Sequence, residues 1–260
     1  MSSEHQRNKE VFLPGLSYKG ELWDGVIQNL DSEGNITFKL DLPDYGSDYK
    51  GVRLDFNTLP AYIRDQLREL EVPPPFYLIG HSLGGLIALK YANIFPNDIE
   101  GLVLVSTPLR KPESEVPLSY KIATSVAAKF PIDNTLRKVF GWDSRLIESL
   151  KSRIEGRGFV NPEFLSYANA SSIAYCLQEL YIYDFRSDIK SINEREKPTL
   201  IVYGSKDKPL LAIGGTDLYP EFNEANILNV DDNHSIPVNK PSDLAEIIVK
   251  FINSCREKIY

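Results

Sequence analysis

One stretch narrows the choice of fold more than any other. Phe76-Tyr77-Leu78-Ile79 is an apolar run, Gly80-His81-Ser82-Leu83-Gly84-Gly85 follows it without a break, and a helical pattern opens at once. A strand that gives way to a helix with no intervening loop needs a sharp turn. Gly80 and Gly84 stand two residues either side of Ser82, where a side chain would clash with neighbouring backbone. Such a turn lifts the Ser82 hydroxyl out at the end of a sheet and aims the Leu83 N–H at whatever that hydroxyl meets. The plainer alternative is a glycine-rich strand-to-helix turn with an incidental serine.

The rest of the chain repeats the same layering. Short apolar runs occur at Val11–Pro14, Ile36–Leu40, Phe76–Ile79, Gly101–Ser106, Thr199–Tyr203 and Asn226–Val230. Most are continuous rather than alternating, which suits strands buried on both faces of a parallel sheet. Amphipathic patterns lie between them at Glu21–Leu30, Leu59–Leu70, Leu83–Phe95 and Ser242–Ile252. Strand–helix alternation predicts an α/β fold with a mainly parallel sheet of about six strands. The polar residues 1–10 read as a loose tail.

One stretch breaks the alternation. From Pro108 to Lys190 there is no convincing strand, only helical segments around Tyr120–Phe130, Asn134–Phe140, Arg145–Arg153, Pro162–Tyr167 and Ser171–Tyr183. A connection of that length without structure of its own is rare in a compact domain. The expected organisation is a core of residues 1–107 and 191–260, with a helical subdomain inserted at 108–190.

Composition excludes several function classes. The 260 residues carry 36 acidic and 29 basic side chains, a net charge of −7, which disfavours a nucleic-acid binder. Cys176 and Cys255 are too far apart for a CxxC metal or redox site and read as free thiols. No apolar run reaches the roughly 20 residues of a membrane span. The first ten residues lack the apolar core of a signal peptide, so a cytoplasmic location is expected.

A serine hydroxyl is a weak nucleophile without a base. The chain has only three histidines. His5 lies in the polar tail. His81 is adjacent to Ser82, and the turn directs it away from the serine. His234 follows the run Asn226–Val230, at the carboxyl end of a strand where ligands meet a parallel sheet. It is the candidate base, although a lone histidine there could be a solvated loop residue. The base needs an acid to fix its tautomer. Asp207 follows Thr199–Tyr203 in Gly204-Ser205-Lys206-Asp207 and completes the order Ser82, Asp207, His234. Its alternative role is a turn or helix cap before Lys208-Pro209. Asp231 and Asp232 are rivals but sit too near His234 in sequence to reach its ring easily. The run Gly101–Ser106 is followed by Thr107-Pro108 and offers no carboxylate.

With these residues in place, the sequence resembles the α/β-hydrolase superfamily over almost its whole length. Phe12-Leu13-Pro14-Gly15-Leu16 resembles the His-Gly-x loop of that family, and Asp41-Leu42-Pro43-Asp44-Tyr45-Gly46-Ser47 resembles its Asp-x-Pro-Gly-x-Gly-x-Ser turn. The resemblance implies that the Leu16 N–H joins that of Leu83 in an oxyanion hole. It also implies that 108–190 is a cap over the serine. Pro14 replaces the usual histidine, Asp44 replaces the turn glycine, and there is no room for the two antiparallel strands that usually come first. The spacing from Pro14 to Asp24 is similar to small carboxylesterases, among them those that cleave a pimeloyl-carrier-protein methyl ester.

The implied function is hydrolysis of small-molecule carboxylic esters through an acyl-enzyme, with Ser82, His234 and Asp207 catalytic and no metal or organic cofactor needed. The same residues would serve a thioesterase, a carbon–carbon hydrolase or a lyase. A small-molecule receptor that keeps the fold is the non-enzymatic alternative. Between Pro108 and Arg157 ten basic residues face six acidic ones. Ordinary solvated helix faces explain that excess, and steering of an acidic carrier protein is the sharper expectation.

Overall fold

The computed structural model describes residues 8–16, 18–30, 35–43, 48–49, 51–53, 55–112, 176 and 179–257. Six strands form one sheet: β1 (Lys9–Leu13), β2 (Ile36–Lys39), β5 (Phe76–His81), β6 (Ile99–Val105), β7 (Thr199–Gly204) and β8 (Asn226–Val230), in the order β2-β1-β5-β6-β7-β8. Every neighbouring pair in this sheet is parallel. Two short strands, β3 (Asp48–Tyr49) and β4 (Val52–Arg53), form a separate antiparallel hairpin. Gly51 turns that hairpin with φ at +79°, which glycine adopts without steric cost.

The sheet sits between two apolar layers because its side chains alternate faces. Val11, Leu13, Leu78, Leu102, Leu104 and Ile201 point into one layer, with α2 (Leu59–Glu69) and α3 (Leu83–Ile94). Phe12, Tyr77, Ile79, Val103, Val105, Leu200 and Val202 point into the other, with α1 (Asp24–Leu30) and the C-terminal helix. A third helix on the first face, α4 (Arg186–Glu194), begins inside the stretch read as an insertion and ends in the core. The remaining helices are α5 (Lys208–Ala212), α6 (Ile236–Asn239) and α7 (Pro241–Glu257).

Helix α3 is apolar but for Lys90 and Asn93, with Leu83, Leu86, Ile87, Ala88, Leu89, Tyr91 and Ala92 buried. It therefore belongs in the interior, covered on its far side. One cover is α4, held by a largely buried ion pair between Lys90 Nζ and Asp188 Oδ1 at 3.2 Å. Asn93 Nδ2 donates to the same carboxylate oxygen at 2.7 Å, and the Lys90 ammonium also meets the Tyr183 hydroxyl. The far end of the helix that carries the Ser82 turn is thus tied to α4.

One reading needs adjustment, and others meet the bounds of what is described. The loose tail is shorter than residues 1–10: Lys9 and Glu10 lie in β1, and Asn8 accepts Ile36 N–H at 2.8 Å. A strand between two others has both rows of backbone groups paired, so polar side chains do not end it. Helix α4 runs through position 190, the expected end of the insertion. The helical segments read between Tyr120 and Tyr167, and the Asp44–Ser47 turn, lie outside the described residues. Ser171–Tyr183 is described only in part, with residues 179–182 helical.

Candidate active site

The turn after β5 is as sharp as its glycines suggest. Ser82 has φ 52° and ψ −116°, a sparsely populated conformation for a residue with a side chain. It is held by Ser82 N–H donating to Val105 O at 2.8 Å and by Gly85 N–H donating to Ser82 O at 3.0 Å. A Cβ on Gly80 would lie 2.5 Å from Gly85 N and overlap Gly84 O, both backbone atoms that cannot swing away. Gly80→Ala is accordingly expected to cost about 3 kcal/mol, as overpacking does. In a thermal melt that is a fall in Tm of roughly 6–12 °C for a chain of this size. A melting curve unchanged from the parent would show that the turn tolerates the methyl.

The loop after β1 packs directly on this turn. A Cβ on Gly84 would lie 2.5 Å from Leu13 O, and one on Gly15 would lie 3.2 Å from Ser82 Cβ. Gly15 therefore flanks the serine, half-buried Leu16 follows it in the chain, and Leu83 opens α3 on the other side of Ser82 in sequence. Backbone N–H groups at the first turn of a helix are unpaired within it and favour negative charge.

Asp207 and His234 arrive from β7 and β8. Their loops lie backbone against backbone: Ser205 N–H donates to Val230 O and Lys206 N–H to Asp232 O, each at 2.9 Å. A Cβ on Gly204 would come 2.6 Å from Asn233 O, so glycine is what lets the loops meet. His234 Nδ1 lies 2.7 Å from Asp207 Oδ2, and His234 Nε2 lies 3.0 Å from Ser82 Oγ. A carboxylate only accepts, so Nδ1 carries the proton and Nε2 offers its lone pair to the serine hydroxyl. Asp207 is fully buried and His234 nearly so.

Asp207 also performs its alternative role. Its other oxygen, Oδ1, accepts Leu210 N–H at 3.0 Å and caps α5. The rival acids are engaged elsewhere. Asp231 pairs with Lys206 Nζ at 2.9 Å, and that ammonium holds its carboxyl below the usual range. Asp232 Oδ1 accepts Asn233 N–H at 2.7 Å and Asn239 Nδ2 at 3.0 Å.

His81 is turned away from Ser82, as its place in the turn suggests, but it is not idle. It is fully buried, with Nε2 2.8 Å from the backbone oxygen of His234. The available signal was a polar residue ending an apolar strand, because buried polar atoms find partners. Arg110, counted among the basic residues of the insertion, is buried rather than displayed. It donates to Tyr181 O at 2.9 Å and to Ile213 O at 3.3 Å. Lys111 is also described; the other eight lie outside the described residues.

A serine on a strained strand-to-helix turn, joined through one histidine to a buried carboxylate at the carboxyl ends of parallel strands, defines an α/β-hydrolase type of site. The chain belongs to the α/β-hydrolase fold family, which it matches over residues 11–236. It is 27% identical over 238 residues to a pimeloyl-[acyl-carrier protein] methyl ester esterase of Wigglesworthia glossinidia brevipalpis, covering 87% of this chain and 84% of that one. It is 26% identical over 267 residues to a monoacylglycerol lipase of Mus musculus, covering 94% and 75% respectively. A carboxylesterase structure from Nitrososphaera gargenis superposes with a TM-score of 0.66 at 16% identity, over 97% of this chain and 92% of that one, a likeness of fold. Among the described residues no helix is long and apolar enough to cross a membrane, and no group of His, Cys, Asp or Glu side chains is arranged to hold a metal ion.

Proposed function

We propose that the protein is a serine hydrolase that cleaves carboxylic esters through an acyl-enzyme. The observation that carries this is the unbroken path from Ser82 Oγ through the His234 ring to Asp207, with separations of 3.0 and 2.7 Å. His234 Nε2 takes the Ser82 proton as Oγ attacks the ester carbonyl. Asp207 keeps the ring in the required tautomer and offsets the positive charge it gains. The Leu83 and Leu16 N–H groups face the oxyanion of the tetrahedral intermediate. His234 then returns the proton to the departing alcohol, and a water molecule releases the acid along the reverse path. The esterase and lipase relatives favour an ester as the bond cleaved.

A serine-directed fluorophosphonate tests the reading. It is expected to add one phosphonyl mass to the peptide bearing Ser82 and to extinguish hydrolysis of p-nitrophenyl esters in step. Hydrolysis that persists after full labelling would sink the assignment. An ester series graded by acyl length, run beside thioesters and β-diketones, separates ester cleavage from the related reactions.

A further inference from the structure

His81 occupies a position that the reaction above leaves unused. Its Nε2 lies 2.8 Å from the His234 carbonyl oxygen, and a carbonyl only accepts, so the proton sits on Nε2. The ring stands edge-on to Tyr18 and Trp23, with centroids 5.7 and 6.5 Å away. The His234 ring is 5.0 Å off, centroid to centroid. The loop after β1 leans on the same ring, since a Cβ on Gly15 would come 2.8 Å from His81 Nδ1. Among the described residues Nδ1 itself has no hydrogen-bond partner. Packing thus fixes where the ring lies, and one hydrogen bond is what it offers. Burial first, and His234 next, push His81 down to about 3, so it stays neutral while its neighbour takes up a proton.

Resting on the reading of Ser82 and His234 as nucleophile and base, we propose that His81 is a positioning residue: its Nε2–H holds the His234 carbonyl and thereby sets the base against Ser82. The anchor is rigid, because His81 is the last residue of β5 and pairs with Val105 of β6. The part it holds, His234, lies in the turn between β8 and α6, outside the sheet's own backbone pairing. His81 adjoins Ser82 in the chain, so one dipeptide fixes both reacting partners. Displacing a reacting group by about 1 Å can cost about 100-fold in rate.

The test compares His81→Phe, which keeps a ring for Tyr18 and Trp23 but has no donor, with His81→Gln, whose amide can still donate. Phenylalanine is expected to lower kcat by about 10- to 100-fold and to slow phosphonate labelling of Ser82 in parallel. KM should stay within about threefold, and glutamine should recover kcat to within about fivefold of the parent. A purely structural ring would give the opposite ranking, with phenylalanine the better tolerated. Parental kcat in the phenylalanine variant, or an equal loss in both, overturns the proposal.

A second measurement needs no variant. With only three histidines in the chain, long-range proton–nitrogen spectra can resolve each ring. His81 should appear as a non-titrating Nε2–H tautomer between about pH 5 and 8. An Nδ1–H tautomer, or titration in that range, overturns the proposal however the variants fold. The two readings fail separately. Esterase activity retained in Ser82→Ala removes the serine mechanism itself, whereas an inactive Ser82→Ala beside a fully active His81→Phe removes only the positioning role.

Discussion

Ser82→Ala is expected to lower kcat for a short p-nitrophenyl ester by about 10⁵-fold or more, with the fold intact. The size follows from what is lost. Without Oγ there is no atom to form the acyl-enzyme, and His234 Nε2 faces an empty position where the hydroxyl stood 3.0 Å away. Stability should barely move, because Ser82 is held by its backbone, through N–H to Val105 and O to Gly85. Alanine must adopt the same strained φ of 52°, so the turn is neither relieved nor further loaded. The measurement is a steady-state assay beside a thermal melt. A variant with unchanged melting and a pre-steady-state burst would show that another residue is acylated.

Asp207→Asn is expected to cost about 10⁴-fold in kcat while leaving the melting temperature nearly unchanged. Among the described residues the carboxylate makes two bonds, one from each oxygen: Oδ2 with His234 and Oδ1 with Leu210 N–H. Asparagine keeps an oxygen for the cap and caps a helix as well as aspartate does. Its amide nitrogen, turned to His234, can only donate. That forces the ring proton onto Nε2, where it can no longer accept from Ser82. Asp207→Ala should lose the cap as well, adding about 1 kcal/mol of destabilisation. The Ser82→Ala, Asp207→Asn double variant should be little slower than Ser82→Ala alone, because residues acting as one unit are not additive. Additive losses would place Asp207 outside the unit.

Much of this was legible in the sequence for physical reasons that can be named. Strands β5, β6 and β7 are buried on both faces, so they read as continuous apolar runs. Ser82 was marked by glycines whose clashes are backbone against backbone, and His234 by the scarcity of other histidines. What stayed hidden has causes too. The hairpin of β3 and β4 is two residues on each side, too short for any periodicity to show. Helix α4 buries Asp188 beside Ile189 and Ile192, so its inner face does not read as apolar. Asp207 as cap and Asp207 as partner of His234 looked like competing roles, because a sequence does not show that two oxygens can be used separately. The contact of His81 with the His234 carbonyl spans 153 positions and depends on backbone placement alone.

The strand order has a consequence for reach. Ser82 follows β5 and His234 follows β8, and β6 and β7 stand between them. Three strand spacings separate the two, about 14 Å. The residues after β8 must therefore arch sideways over the ends of two strands before the ring meets the serine. Asp207, leaving β7, meets that arch partway. The residues that follow β6, one of the two strands between, are Ser106 and Thr107, both small and fully buried. The site works as a cantilever: its length is set by the turn at Asp231–Ser235, and its footing by the backbone contact at Gly204 and the His81 ring. Lengthening that turn by one residue would move the base off the serine without disturbing a single strand.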